Sequence, residues 1–196
     1  MVELEIKLLL EADEVDRVRE RLGRPLRAVE QTNRYFDDEA RTLARHGWGL
    51  RVRVESESGA PERAVLTLKH AGQSEGDFSR RPEFESNLGS PNLEPQTVLD
   101  LARDLLPDPS VLPVVQVREI GRMRNRREFF AGDGFALELD RVSWPDGSVS
   151  HELEVEVDSP TDVDEVRQRL RGLIDDAGVA WRIGRESKLQ RLMRMI

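Results

Sequence analysis

Val2-Glu3-Leu4-Glu5-Ile6-Lys7-Leu8 opens the chain with strict alternation of apolar and charged residues. A period of two is the signature of a β-strand, whose successive side chains point to opposite faces. Val2, Leu4, Ile6 and Leu8 therefore share one face, and Glu3, Glu5 and Lys7 the other. A single strand of this kind is ordinary, because a half-buried sheet keeps its charges in water. Here the pattern recurs along the chain. Arg51 and Arg53 oppose Val52 and Val54, and Thr67 and Lys69 oppose Leu66 and Leu68. Glu138 and Asp140 oppose Leu137 and Leu139, while Glu152, Glu154 and Glu156 oppose Leu153, Val155 and Val157. Arg124 and Arg126 share a face of their own strand, with further arginines at 122 and 127 leaving its register open.

The signs of these charges are sorted by strand. A solvated sheet surface mixes them, since like charges directly across strands repel. Acidic strands kept apart from basic ones suit an anion gripped by arginines and lysines and linked through divalent cations to a carboxylate cluster. Guanidinium matches phosphate oxygens bidentately, and hard cations such as Mg²⁺ or Mn²⁺ favour carboxylate oxygen.

Working outward from this pattern, strands are predicted over residues 2–8, 34–37, 49–55, 64–70, 80–85, 111–123, 124–131, 135–142 and 149–157. Turns are expected at Ser56 to Pro61, at Gly132-Asp133-Gly134 and at Pro145-Asp146-Gly147. Helices are predicted over 11–22, 94–106 and 161–176, with Thr161 as a cap, and a short one starting near Glu186. About eight strands with few helices indicate an α+β fold: an eight-stranded closed antiparallel β-barrel, or tunnel. Its interior is expected to be polar and charged, with the apolar faces turned outward under the helices. Residues 1–196 are read as a single domain, without internal repeat or low-complexity tract.

Composition narrows the chemistry. The chain has 196 residues, 38% hydrophobic and 35% charged, enough for a real core. It has no cysteine, which excludes disulfides and thiolate metal sites, and its three histidines are too scattered for a zinc site. A formal net charge of −8 argues against nucleic acid as the main partner. No apolar run approaches the ~20 residues needed to span a bilayer, and no signal region is visible, so no membrane partner and a cytoplasmic location are expected. The oligomeric state, monomer or homodimer, stays open. His46, His70 and His151 read as surface residues, and Tyr35 and Phe36 as packing residues. Trp48 is weighed as either a packing residue or a stacker for an organic ring.

Glu3-x-Glu5-x-Lys7 is similar to the E-x-E-x-K signature of the CYTH, or triphosphate tunnel metalloenzyme, superfamily. The resemblance continues through Arg34-Tyr35-Phe36-Asp37, Leu50-Arg51-Val52-Arg53, Leu66-Thr67-Leu68-Lys69, Glu83-x-Glu85, Arg124-x-Arg126, Leu139-Asp140, Glu152-x-Glu154-x-Glu156 and Ser187-Lys188, essentially the whole chain. It implies a tunnel that binds a small-molecule triphosphate and one or two divalent metals, Mg²⁺ or Mn²⁺. Glu3, Glu5, Asp140, Glu154 and Glu156 would be the metal-linked carboxylates. Lys7, Arg51, Arg53, Lys69, Arg124, Arg126 and Lys188 would contact phosphate, with Glu5, Glu156, Lys7 and Arg53 central to turnover. The expected activity is hydrolysis of a terminal phosphoanhydride, with inorganic triphosphate as the default substrate. The alternatives are thiamine triphosphatase, class IV adenylate cyclase, or a binding module for polyphosphate or nucleotide without turnover.

Overall fold

The computed structural model describes residues 2–132, 135–157 and 162–196. The Asp133-Gly134 part of the expected turn and the expected cap at Thr161 lie outside these residues. The strands are β1 (Val2–Leu10), β2 (Arg27–Asp37), β3 (Trp48–Ser56), β4 (Arg63–His70), β5 (Gln73–Glu75), β6 (Phe78–Leu88), β7 (Arg118–Ala131), β8 (Ala136–Ser143) and β9 (Val149–Glu156). The helices are α1 (Ala12–Leu22), α2 (Thr42–Arg45), α3 (Pro95–Asp104), α4 (Val163–Asp176) and α5 (Lys188–Met193), with a 3₁₀ turn at Pro109–Val111.

The strand order is β1-β9-β8-β7-β2-β3-β4-β6, and β6 pairs back onto β1, so eight antiparallel strands close into a barrel. The short β5 is added on β6 as a ninth strand. Closure leaves the alternating strands only two destinations for their side chains, the lumen or the outer shell. Leu4, Ile6, Leu8 and Leu10 of β1, Leu137 and Leu139 of β8, and Leu153 and Val155 of β9 point out. They pack under Val15 and Val18 of α1 and Val166, Leu170 and Ile174 of α4. On the opposite side, Leu50 and Val52 of β3 and Leu66 and Leu68 of β4 meet Val98, Leu99 and Ala102 of α3. Each such side chain contributes about 1.5–3 kcal/mol on burial. The core thus lies outside the barrel wall, and the lumen is left for polar groups.

One end of the lumen is closed by a third apolar cluster. Tyr35, Met123, Val142 and Trp144 meet Leu192 of α5, with Leu189 and Met195 beside them. The close fit needs small residues in the wall. A Cβ on Gly49 would stand 3.0 Å from Leu189, and one on Gly121 would stand 3.3 Å from Leu192 and Ile196. The barrel is therefore plugged at this end by the C-terminal helix.

Several boundaries differ from expectation, for identifiable reasons. β2 starts at Arg27, well before 34, because Gln31 and Asn33 face a polar lumen and leave no apolar alternation to read. β7 is one strand beginning at Arg118, not two strands from 111, since Pro109–Val111 is a 3₁₀ turn and Leu112 and Val114 tuck under α3. The short α2 had no periodicity to announce it. It is held by Asp37, whose Oδ1 accepts from Leu43 N at 2.8 Å and Oδ2 from Ala44 N at 3.0 Å. Among the described residues no helix is long and apolar enough to cross a membrane.

Candidate active site

Three neighbouring strands supply the acidic wall. In the ladders Glu5 stands opposite Glu156, Lys7 opposite Glu154, Glu138 opposite Glu154, and Asp140 opposite Glu152. Directly paired residues project to the same face, so all of these reach the lumen. The basic side is built by Arg51 and Arg53 of β3, Lys69 of β4 and Arg81 of β6. Thr67 lies between, accepting from Arg51 at 3.1 Å and donating to Glu85 at 2.8 Å.

The two walls are laced together by buried ion pairs. The Lys188 ammonium, carried in by the first residue of α5, lies 2.6 Å from Glu152, 2.7 Å from Glu154 and 2.9 Å from Asp140. Lys7 lies 3.3 Å from Glu154 and 3.5 Å from Glu5. Arg127 donates to both oxygens of Asp140 at 2.7 Å, to Glu154 at 2.5 Å, and is paired with Glu138. Arg81 bridges Glu3 at 2.5 Å and Glu5 at 2.6 Å, while Lys69 lies 2.7 Å from Glu3 and 3.0 Å from Glu83.

Crowding separates the protonation behaviour of the carboxyls. Burial alone would push Glu3 up, but Lys69 and Arg81 outweigh it and hold Glu3 at about 2. Glu154 is likewise buried, yet Lys188, Lys7 and Arg127 hold it well below the usual range. Asp140 is lowered, Arg127 and Lys188 together overcoming its burial. Glu138 goes the other way, raised to about 7 by burial, with repulsion from Glu154 and Asp140 offsetting its share of Arg127. Burial and neighbouring Glu3 raise Glu156. Burial and the adjacent Arg53 lower Arg51.

A divalent cation fits this donor set. Asp140, Glu152 and Glu154 offer carboxylate oxygens that all lie within 4.8 Å of one another. Glu5 Oε1 is buried with no hydrogen-bond partner. All these ligands are oxygens, as a hard cation requires. In this structure the Lys188 ammonium already sits on the Asp140, Glu152 and Glu154 trio, as an internal cation would.

Of the residues singled out from the sequence, Glu3, Glu5, Lys7, Arg51, Arg53, Lys69, Asp140, Glu154, Glu156 and Lys188 are brought together in the lumen. Arg124 and Arg126 are not. Both are exposed on the outer face of β7, and Arg126 pairs with Glu30 at 2.7 Å. The lumen position belongs to Arg127, which stands opposite Asp140. The run of arginines hides this parity, and the adjacent Phe129-Phe130 offers an apolar residue in either register; the structure shows that Phe130 is the outer, core-packed one. Glu152, on the same face as Glu154, is also buried inside. Arg81 was not anticipated, although it shares parity with Glu83 and Glu85. Trp48 faces outward onto the α3 cluster, its ring 4.4 Å from that of His70. It does not line the lumen, which favours the packing reading over stacking on an organic ring.

Comparison with known proteins agrees with this architecture. No curated protein sequence matches the chain. HpAC1 from Hippeastrum, described as having a dominant triphosphatase activity, superposes with a TM-score of 0.78 at 22% identity, covering 98% of this chain and 96% of that one. A protein from Bacillus halodurans named for adenylate cyclase gives 0.70 at 22% identity over 96% of both chains. The PH1819 protein of Pyrococcus horikoshii OT3 gives 0.68 at 21% identity over 99% of both. At these identities the likeness establishes the shared barrel. The model of the CYTH domain matches residues 1–180, and with the closed barrel and its charged lumen, this chain belongs to the CYTH family.

Proposed function

We propose that this protein hydrolyses a terminal phosphoanhydride of a small triphosphate, with inorganic triphosphate as the default substrate. The observation that carries the reading is a set of unspent polar atoms on the two walls. Arg51 Nε and Arg53 Nε are buried donors without a hydrogen-bond partner, and Glu5 Oε1 is buried with no hydrogen bond and only a longer ion pair to Lys7 at 3.5 Å. Buried polar groups are nearly always satisfied, so unmet hydrogen-bonding atoms on the basic wall and on the acidic wall suit a ligand carrying both an anion and a cation. A triphosphate with its divalent metal has that composition.

Phosphoryl transfer asks for positioning and charge neutralisation more than for covalent help. Arg51, Arg53 and Lys69 would clamp the phosphate oxygens, and the guanidinium groups would stabilise the charge on the transferred group and the leaving diphosphate. Lys7, Lys188 and Arg127 keep Glu154 and Asp140 ionised and fixed. Glu3, Glu5, Glu156, Asp140 and Glu154, with Glu152, would hold Mg²⁺ or Mn²⁺. When bound, such a cation neutralises phosphate charge and acts as a Lewis acid on the phosphoryl oxygens.

Inorganic triphosphate is preferred because it needs only the charged walls and no pocket for an organic group. The test compares phosphate release from inorganic triphosphate, thiamine triphosphate and ATP, with Mg²⁺ or Mn²⁺ and with EDTA. Metal-dependent release, highest with inorganic triphosphate and abolished by EDTA, is expected. Cyclic AMP as the main product from ATP would make the protein a cyclase. Tight metal-free triphosphate binding without turnover would make it a binding module.

A further inference from the structure

The plugged end of the lumen carries a feature that the charged walls do not explain. Three neutral amides, Gln31 and Asn33 of β2 and Asn125 of β7, are almost wholly buried among lumen residues. Gln31 stands opposite both Glu55 and Asn125, and Asn125 opposite Val142 of the apolar plug. Asn33 stands opposite Met123 of the plug and Arg53 of the basic wall. The amides thus floor the charged lumen where it meets the plug.

Their hydrogen bonds run in one direction. Gln31 Nε2 donates to Glu55 Oε1 at 3.1 Å, and Asn125 Nδ2 donates to Gln31 Oε1 at 2.9 Å. Amide orientation is normally an assignment, since oxygen and nitrogen look alike. Here chemistry fixes it. Glu55, paired with Arg53 and Arg63, accepts. Gln31 must then turn its NH₂ to Glu55 and its oxygen to Asn125, and Asn125 must answer with its NH₂. The free end of the relay is therefore an oxygen, Asn125 Oδ1, buried with no hydrogen-bond partner. Asn33 Oδ1 is a second orphan acceptor on the same floor, while its nitrogen contacts the Met123 sulfur at 3.7 Å.

An acceptor here cannot serve a phosphate oxygen, which is itself an acceptor. It requires a ligand that carries hydrogen. We propose that Asn125 Oδ1, oriented by the Glu55–Gln31 relay and assisted by Asn33 Oδ1, holds the attacking water beneath the terminal phosphate. Asn125 is thus a positioning residue for the hydrolysis proposed above, on which this inference rests. The water oxygen forms the new bond to the terminal phosphorus as the bridging P–O bond breaks. The bonding pair leaves with the diphosphate, and the two hydrogens of water end one on each product, phosphate and diphosphate.

The test uses Asn125→Leu, which keeps the volume and removes the acceptor, and Gln31→Leu, which frees the Asn125 amide to reverse. Asn125→Leu should lower kcat for inorganic triphosphate about 100-fold with KM within about two-fold, the size of loss expected when a reacting group is misplaced. Its melting temperature should change little, because removing the buried orphan Asn125 Oδ1 is offset by leaving Gln31 Oε1 without its donor. Gln31→Leu should lower kcat by a smaller factor, again at constant KM. A high-resolution crystal structure with Mg²⁺ and non-hydrolysable imidotriphosphate should show water within hydrogen-bond distance of Asn125 Oδ1, missing from the variant. If the wild type turns over and Asn125→Leu keeps its kcat, or loses stability and KM together, the assignment is wrong while the hydrolase reading stands. If the wild type hydrolyses nothing yet holds that water, the hydrolase reading falls and the water site remains. If the crystal shows no such water, the site itself is refuted.

Discussion

Glu5 belongs to the acidic wall and Arg53 to the basic one, and their substitutions should fail differently. Glu5→Gln keeps the shape and removes the charge that suits a hard cation. Turnover should drop by roughly 10³-fold or more, in the range of losing a transition-state electrostatic partner, while the fold is kept. Arg53→Ala removes a phosphate clamp, so KM should rise together with the fall in kcat, and excess metal should not rescue it. Steady-state kinetics across a metal titration separates the two. The β7 register gives a sharper contrast. Arg127→Ala strands Asp140, Glu138 and Glu154 without their shared guanidinium, and breaking a buried pair costs about 3–5 kcal/mol. Arg124→Ala alters an exposed side chain and should stay within about 0.5 kcal/mol of wild type. Urea denaturation of the two variants decides which arginine faces the lumen. The alternation of Glu3, Glu5 and Lys7 made their placement legible from the sequence. Arg127 was not legible, because consecutive arginines carry no parity of their own.

At the scale of elements, helix α5 has two tasks that its six residues do not advertise. Its N-terminus is fixed by Ser187, whose hydroxyl accepts from Gln190 N at 3.2 Å. That cap aims Lys188 into the carboxylate trio, while Leu189 and Leu192 seal the barrel. Leu192→Ala should cost about 2–5 kcal/mol, as for other fully buried leucines. Because Leu192 packs on Trp144, the loss should also appear in tryptophan fluorescence as well as in the unfolding midpoint. Helix α4 offers a comparison: Leu170→Ala should destabilise by a similar amount without touching the plug. The long helices α1, α3 and α4 were readable because each presents an apolar stripe to the outer barrel face. The first seven residues of β2 were not, since their inward side chains include amides, and polar residues on both faces erase the period-two signal.

For the whole molecule, the consequence of turning the core outward is a lumen crowded with charges of both signs that depend on one another. A ligand that binds only the folded barrel stabilises it by mass action, about 2.7 kcal/mol at a concentration one hundred times its Kd. Mg²⁺ together with imidotriphosphate should therefore raise the melting temperature more than either alone, read by differential scanning fluorimetry. A purely additive response would argue against one shared site. What the sequence by itself determined is the two faces of the alternating strands β1, β3, β4, β8 and β9 and the family of the barrel, because alternation is local and a strand's side-chain period is fixed at two. It also restricted any metal to oxygen or nitrogen ligands, through the absence of cysteine. Only the tertiary structure decided which arginine of β7 turns inward, that Lys188 occupies the Asp140, Glu152 and Glu154 trio, and that Asn125 ends a relay begun at Glu55. Those facts depend on register between strands far apart in the chain. Register is specified by which face of each strand must be buried against its partners, and a one-residue slip exchanges the faces, so a run of arginines cannot declare it alone.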